Sequence, residues 1–268
     1  MRAVEEIAAE AEAVDGAAPV DEAIWRALRH HPEQVRSFHD DDGFALLVGP
    51  ELSLVVRPEA RGRGIGRALL GQALAEAPEG TLLAWSHADH PAAAALAATH
   101  GFESIRALWV MRRPTAMPLP ELVVPRTVTL RSYRPDDASE VVRVNAAAFA
   151  AHPEQGRMDA EDLAARMAEK WFDPAGLIVA DAGDGTLRGF HWTKRHSPQL
   201  AEVYVVAIDP AAQGQGLGKV LTLAGLRHLA DADEVLLYVE SDNAPAIAVY
   251  SGLGFTHAPT DTHVQYRC

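Results

Sequence analysis

One pattern occurs twice in this chain and constrains it more than any other feature. Residues 53–67 (SLVVRPEARGRGIGR) lie in register on residues 205–219 (VVAIDPAAQGQGLGK), with the apolar run, the proline and three glycines coincident. In the second copy Val203, Val205 and Ala207 alternate with Tyr204, Val206 and Ile208, and this density of β-branched, aromatic and apolar residues predicts a strand. Asp209 and Pro210 stop it, because proline has no N–H to give to a ladder. A glycine-rich turn over 213–218 follows, and Lys219, Val220, Leu221, Leu223, Ala224 and Leu226 carry the spacing of an amphipathic helix. A strand that runs through a glycine loop into a helix aims several backbone N–H groups and the positive dipole end at one place, which suits a pyrophosphate.

Two phosphate motifs fail on spacing. A dinucleotide fingerprint begun at Gly214 ends on Lys219, and a P-loop would need glycine at Gln213 and a hydroxyl at Val220. What remains is Q-x-x-G-x-G, formed by Gln213, Gly216 and Gly218. Taken alone, an ordinary glycine-rich strand-to-helix turn would read the same way. The repeat extends further, however. Thr81 to Ala84 matches Val235 to Tyr238 as a strand, and His100-Gly101-Phe102 matches Leu253-Gly254-Phe255. Matches in the same order along both halves make the chain a duplicated domain, and 268 residues suffice for two.

The first half predicts helices over 5–14 and 21–31, with Asp21 as N-cap, then hairpin strands over 35–39 and 44–48. A strand over 52–56, the loop, a helix over 64–76, a strand over 82–86, a helix over 91–100 and strands within 102–112 complete it. Residues 113–126 hold Pro114, Pro118, Pro120 and Pro125 and can continue neither a helix nor a central strand, so they are the expected linker. The second half repeats the order: a strand over 128–133, helices over 135–149 and 160–171, hairpin strands over 177–181 and 187–193, the central strand and loop, a strand over 234–240, a helix over 243–251 and strands within 255–267. Domains are thus expected at 1–112 and 127–268. The class is α/β (α+β), each domain a mixed, mostly antiparallel sheet flanked by helices.

With its strand, loop and helix, the Q-x-x-G-x-G stretch resembles the acyl-CoA pyrophosphate loop of the GCN5-related N-acetyltransferases (GNAT). The resemblance implies two tandem GNAT domains, acetyl-CoA as cosubstrate with no metal, and two central strands that splay to admit the pantetheine arm. Acetyl transfer to an amine needs a neutral amine, a stabilised oxyanion and a proton for the leaving thiolate. An α-amino group titrates at about 7.7–8.0, so a modest base suffices. Glu202, at the mouth of the central strand, is placed for that role; a solvated strand-edge carboxylate is the other reading. A thiol of pKa about 8.5 is matched by a phenol of pKa about 10. Tyr250 lies where the family carries a tyrosine as general acid; a core aromatic is the other reading. In the first half Pro50 stands at the place of Glu202, Ala97 at that of Tyr250 and His90 at that of Asn243, while the loop gains Arg57, Arg61, Arg63 and Arg67, whose guanidinium forks suit phosphate. The first half is therefore expected to bind CoA or to be structural, and the second to catalyse.

A finer likeness rests on residues 152–156 (HPEQG), 189–194 (GFHWTK), 202–206 (EVYVV), 237–243 (LYVESDN) and 250–255 (YSGLGF). These are similar to tandem acetyltransferases of actinobacteria whose amine substrate is cysteinyl-glucosaminyl-inositol. By that resemblance Glu22, Glu154, Lys194, Glu202 and Tyr238 contact the substrate. Acetyl-CoA is held by Val206, Ala207, Ile208, Gln213, Gly214, Gln215, Gly216, Leu217, Gly218 and Lys219, together with Asn243, Ala244, Pro245, Ala246, Ile247 and Ala248. A second CoA is held by Leu54, Val55, Val56, Gly62, Arg63, Gly64, Ile65, Gly66 and Arg67. The loop over 196–200 is short for such a protein. An acetyltransferase of another small-molecule or protein amine, and a non-catalytic acyl-CoA sensor, remain open alternatives.

Charge and composition narrow the partners. A net charge of -13 opposes non-specific nucleic-acid binding, which needs a basic footprint. The single cysteine, Cys268, allows no internal disulfide and no cysteine-built zinc site. The twelve histidines are scattered without an H-E-x-x-H pattern. No apolar run approaches the roughly 18 residues of a membrane span, and the first residues carry acids rather than an apolar signal core. A cytoplasmic monomer acting on a small-molecule amine, with no membrane partner, is the expectation.

Overall fold

The computed structural model describes residues 1–77, 82–150 and 155–268. Thr81, residues 152–154 of the HPEQG run and the expected substrate residue Glu154 lie outside them. In chain order the first elements are α1 (Arg2–Asp15), α2 (Glu22–His30), β1 (Val35–Asp40), β2 (Gly43–Val48), β3 (Glu51–Val56), α3 (Ile65–Glu76), β4 (Leu83–Ser86), α4 (Pro91–Thr99) and β5 (Glu103–Pro114). Then come β6 (Thr129–Ser132), α5 (Ala138–Ala148), α6 (Ala160–Met167), β7 (Leu177–Asp181), β8 (Leu187–Arg195), β9 (Leu200–Ile208), α7 (Leu217–His228), β10 (Glu234–Glu240), α8 (Ala244–Gly252) and β11 (Thr256–Arg267).

The chain forms two compact units, and they are not the contiguous halves that the repeat suggests. One is Met1–Trp109 with Ala258–Cys268; the other is Val110–His257. The reason lies in β11, whose residues 264–267 pair antiparallel with β4, from Val264 opposite Ser86 to Arg267 opposite Leu83. Backbone bonds in both directions between Leu82 and Cys268 extend that ladder. Residues 113–126 are likewise no loose tether. β5 runs through Pro114, which at a strand end forfeits a single donor. Arg113 is 1% exposed, and its guanidinium donates to the carbonyls of Leu253, Pro114, Met117 and Pro118.

In the first unit the strand order is β1-β2-β3-β4-β11, antiparallel except between β3 and β4. Period-two alternation divides β2 between two layers. Phe44 and Leu46 pack with Val4, Ile7 and Ala11 of α1 and Ile24 of α2, whereas Ala45 and Leu47 pack with Leu69, Leu70 and Ala73 of α3. In the second unit the order is β5-β10-β9-β8-β7-β6. Phe190 and Trp192 of β8 face Val141 and Val144 of α5 and Leu163 of α6. The opposite face carries α7, whose Leu217 and Leu221 cover Ala180 and Ile208. α6 stops at Met167, short of the predicted 171, because Trp171 and Phe172 leave the helix to pack on Trp192, at ring-centroid separations of 5.9 and 5.7 Å.

Between Phe190 and Trp192, His191 points the other way. It is fully buried, with Nδ1 2.8 Å from the Leu221 carbonyl oxygen. A Cβ on Gly225 would stand 2.0 Å from His191 Cε1, so the imidazole occupies the space that this helical glycine leaves. Burial pulls the His191 pKa down from 6.5 to about 4. A histidine depressed in the folded state contributes stability that is present above its unfolded pKa and lost as pH falls through the folded one. Unfolding free energy, measured by denaturant titration, should therefore fall by roughly 3 kcal/mol on this account between pH 6.5 and 4. His191→Leu should remove that part of the slope.

Candidate active site

The central feature of the second unit is a parallel pair that does not stay paired. β9 and β10 are in register from Leu200 opposite Glu234 to Val203 opposite Leu237, and there the rungs stop. Beyond, Val205 to Ile208 pair only on the other side, with β8. A β-bulge sits at this point: Trp192 faces Val205 and Thr193 faces Val203, which leaves Tyr204 as the extra residue. The bulge bends β9 away just where its last rung with β10 ends. The backbone groups of two central strands are thereby turned into a wedge, and backbone polar groups in such a place require a partner.

The wedge leads to the glycine loop. Asp209 accepts from the Ala211 N–H at 2.9 Å and opens a single helical turn over Pro210–Ala212. Gly214 follows at φ 76° and Gly216 at φ 77°, the latter serving as N-cap of α7. Both lie in the left-handed region where a side chain is strained, which is why this turn demands glycine. Gln213, Gly214, Gln215, Gly216 and Lys219 are exposed around the α7 N-terminus, while Leu217 and Ala212 are buried anchors beneath it. Gly218 has ordinary backbone angles. The loop is braced from outside by Arg143, which bonds Asp209 at 2.7 Å, Glu140 at 2.8 Å and the Leu187 carbonyl at 3.0 Å. The guanidinium and the Ala211 N–H together hold the Asp209 carboxyl below the ordinary carboxylate range.

The expected substrate residues fall partly together. Lys194 and Glu202 are directly opposite across β8 and β9, and Leu236 is opposite Glu202 on the other side. Alternation along β10 returns Tyr238 to the face of Leu236, so Lys194, Glu202 and Tyr238 share one face of the sheet. It is the face of α5 and α6, since Lys194 Nζ lies over the rings of Trp171 and Tyr204, 4.8 and 5.1 Å from their centroids. Desolvated contacts of this kind hold an ammonium at about 0.5–2 kcal/mol. Tyr238 is 45% exposed. Glu22 is the first residue of α2 in the first unit, 3.6 Å from Arg26.

Glu202 is not the solvated carboxylate of a strand edge. It is 5% exposed, and its Oε2 is 2.7 Å from Nε2 of the half-buried His196. The short 196–200 turn sets this pair: the His196 and Ser197 N–H groups both bond the Leu200 carbonyl, and Ser197 Oγ accepts from the Gln199 and Leu200 N–H groups. Sequence reasoning noted the shortness of the turn and missed the histidine. The spacing His196–Glu202 across a tight hairpin was the available signal. Tyr250, by contrast, is on α8, which packs with α7 on the opposite face. Its ring meets the edge of Phe255 at 6.0 Å, and packing around the hydroxyl pushes the phenol up to about 12. Asn243 caps α8, its Oδ1 accepting from Ala246 N–H at 3.2 Å ahead of Pro245, Ile247 and Ala248. Glu202 and Tyr250 thus belong to opposite faces of the sheet.

The first unit repeats the scaffold. β3 and β4 are paired only from Glu51 opposite Leu83 to Leu52 opposite Ala84. A cavity of about 370 Å³ opens beyond, lined by Leu54, Val55 and Val56 and, from the loop, by Arg61, Gly62, Gly64, Ile65, Gly66 and Arg67. Gly62 at φ 77° and Gly64 at φ 90° reproduce the turn, Gly64 again as N-cap. Of the four loop arginines, two are tied to carboxylates, and Arg63 donates to the Glu59 carbonyl at 3.0 Å. Arg57 pairs with Glu6 and Glu10, and Arg61 meets both carboxylate oxygens of Asp15 at 2.7 Å. Arg63 and Arg67 remain exposed beside the loop. Among the described residues no helix is long and apolar enough to cross a membrane, and no cluster of metal-ligating side chains occurs.

The brace on the second loop can be tested directly. Arg143→Leu should leave the fold intact but weaken donor binding about fivefold, as expected for losing a half-buried charge pair worth roughly 1 kcal/mol. The check is the KM for the acyl donor.

The profile of the acetyltransferase (GNAT) family matches residues 143–255, and that of an acetyltransferase (GNAT) domain matches residues 23–104. The chain is 64% identical to a mycothiol acetyltransferase of a Nocardioides species, over 100% of this chain and 97% of that one. It is 49% identical to a mycothiol acetyltransferase of Nocardia farcinica, over 97% and 91% respectively. Among solved structures it superposes on a GCN5-related N-acetyltransferase from Sphaerobacter thermophilus with a TM-score of 0.69 at 19% identity, over 99% of this chain and 91% of that one. A tandem GNAT protein from the clavulanic acid biosynthesis pathway gives 0.68 at 23% identity, over 98% and 95%.

Proposed function

Because the chain belongs to the mycothiol acetyltransferases, a tandem branch of the GNAT acetyltransferases, we propose that its second unit moves acetyl from acetyl-CoA to the cysteinyl amine of cysteinyl-glucosaminyl-inositol, forming mycothiol and CoA. The observation that carries this reading is the wedge between β9 and β10, with a buried carboxylate on one face and a phenol on the other. Amine and thioester enter from opposite sides and meet in the gap.

The amine nitrogen attacks the thioester carbonyl carbon, a C–N bond forms, and the C–S bond then breaks. The amine's proton goes to Glu202, which shares a hydrogen bond with His196, and the half-exposed imidazole passes it to solvent. N–H groups along β9 that lack a β10 partner are suited to the oxyanion. Tyr250 acts on the sulfur. A phenol at about 12 stays protonated throughout the working range and lies well above a thiol of about 8.5. It therefore serves as a hydrogen-bond donor to the departing thiolate, which takes its proton from solvent, rather than as the closely matched acid an unperturbed tyrosine would be. Lys194 and Tyr238, beside Glu202 on the same face, orient the pseudo-disaccharide. The αL glycines and the α7 N-terminus hold the pyrophosphate.

The first unit, in this reading, holds a CoA ester without transferring its acyl group. Pro50 and Ala97 stand where the proton-handling residues would be, and the cavity with its glycine loop is present. Activity on cysteinyl-glucosaminyl-inositol, read by mass spectrometry against a panel of other amines, tests the assignment; preference for another amine would overturn it.

Two variants separate the proton roles. Tyr250→Phe should lower kcat by about 10²-fold with donor affinity retained, general acid–base or hydrogen-bonding groups contributing about 10²–10⁴-fold. In the native protein no basic limb from this residue should appear up to pH 10, because its phenol ionises only near 12. Glu202→Gln should slow transfer at neutral pH, and the deficit should shrink as pH rises past the amine pKa of about 8. A deficit equal at every pH would reduce Glu202 to a positioning group.

A further inference from the structure

We propose that the cavity of the first unit is built for a CoA thioester whose acyl chain is longer than acetyl. The proposal rests on the reading that this unit holds a CoA ester, and it names the acyl group. One end of the cavity is the glycine loop, with two αL glycines at the N-terminus of α3 and with Arg63 and Arg67 beside it. Arg61 is tied to Asp15, so phosphate recognition falls to the N–H groups and to those two outer arginines. The other end is lined by Leu52, Leu70, Ala84, Leu96, Ala97 and Phe102. Leu52 and Ala84 form the last rung between β3 and β4, so the cavity reaches the bottom of the wedge. A ligand spanning it carries phosphate at one end and apolar substance at the other.

The inner end differs from its counterpart in the second unit at one decisive place. The phenol ring of Tyr250 is replaced by the methyl group of Ala97, itself 6% exposed. Ala97 lines the cavity without a ring projecting into it, and the hydroxyl is gone. The polar side chains near this end have partners in the protein. Ser86 Oγ accepts from the His90 N–H at 2.8 Å, and His87 Nδ1 lies 3.0 Å from His263 Nδ1. Burial pulls His87 down to about 4, so it lines the cavity as a neutral ring. What is left for a ligand at this end is mainly hydrocarbon surface, which an acetyl group is too short to use. Each buried methylene stabilises by about 0.8 kcal/mol, or roughly fourfold in affinity.

The intact protein is titrated calorimetrically with CoA, acetyl-CoA, butanoyl-CoA and hexanoyl-CoA. A hexanoyl-CoA bearing a terminal diazirine is cross-linked in parallel, and the labelled peptides are mapped. Affinity at one of the two sites should rise on the order of tenfold from acetyl to butanoyl, with a further rise to hexanoyl. The label should fall on α4 or β3 of the first unit. Ala97→Phe should abolish the gain with chain length while acetyl-CoA still binds there. If that variant fails to fold, the chain-length series and the label map decide alone. Equal or weaker binding of hexanoyl-CoA in the first unit, with acetyl-CoA bound there, would overturn the chain-length proposal only. No CoA ester of any length bound there would overturn the underlying reading as well. Cross-linking confined to the second unit would place the long chain in the wrong site and sink the proposal.

Discussion

Each unit depends on an interruption in the most regular thing it contains. A parallel pair at the centre of a sheet normally satisfies its backbone along its full length, and every unpaired buried group carries a desolvation cost. Here β3 and β4 hold rungs only at Glu51–Leu83 and Leu52–Ala84, and β9 and β10 only as far as Val203–Leu237. The cost of opening the sheet is tolerable because the flanking ladders, β2 with β3 and β8 with β9, keep one edge of the parting strand satisfied. Two helical layers cover each sheet, and the gap lies between them.

The glycine loops were legible because the requirement is local. Positive φ at Gly62, Gly64, Gly214 and Gly216 is a property of single residues, and a repeated spacing of glycines reports it directly. Element order was legible for a similar reason: the apolar runs of β2, β7 and β10 mark strands covered on both faces, and helical spacing marks α3. The partners of side chains across the sheet were not. His196 meets Glu202 only because a hairpin turn and a rung set them together, and Arg143 meets Asp209 from a helix 66 positions earlier. The arginines of the first loop were read as phosphate ligands from type and spacing. That reading could not foresee that α1 would bring Glu6, Glu10 and Asp15 onto Arg57 and Arg61.

The bulge at Tyr204 was equally hidden, since an unbroken run of strand-forming residues gives no sign of an extra one. Its effect is chemical as well as geometric. It sets Tyr204 beside Trp171 and Trp192 at 4.9 and 5.6 Å, and that aromatic wall fixes the ammonium of Lys194 next to the buried carboxylate. A lysine clamped by rings has little rotamer freedom left to lose on making a further contact. A flexible one would lose most of it then.

The closing strand has a consequence for how such a chain comes to be folded. Residues 258–268 complete the sheet begun by residues 35–56, yet they leave the ribosome only after the core of the second unit. Until then the early sheet presents β4 with an open edge, a state prone to wrong pairing. Synthesis from the amino end therefore delivers the second unit's core before the first can be sealed, and the order of maturation runs against the order of translation. Although the sequence repeats a domain, one strand makes it a molecule that cannot be cut at its proline-rich segment into two finished parts.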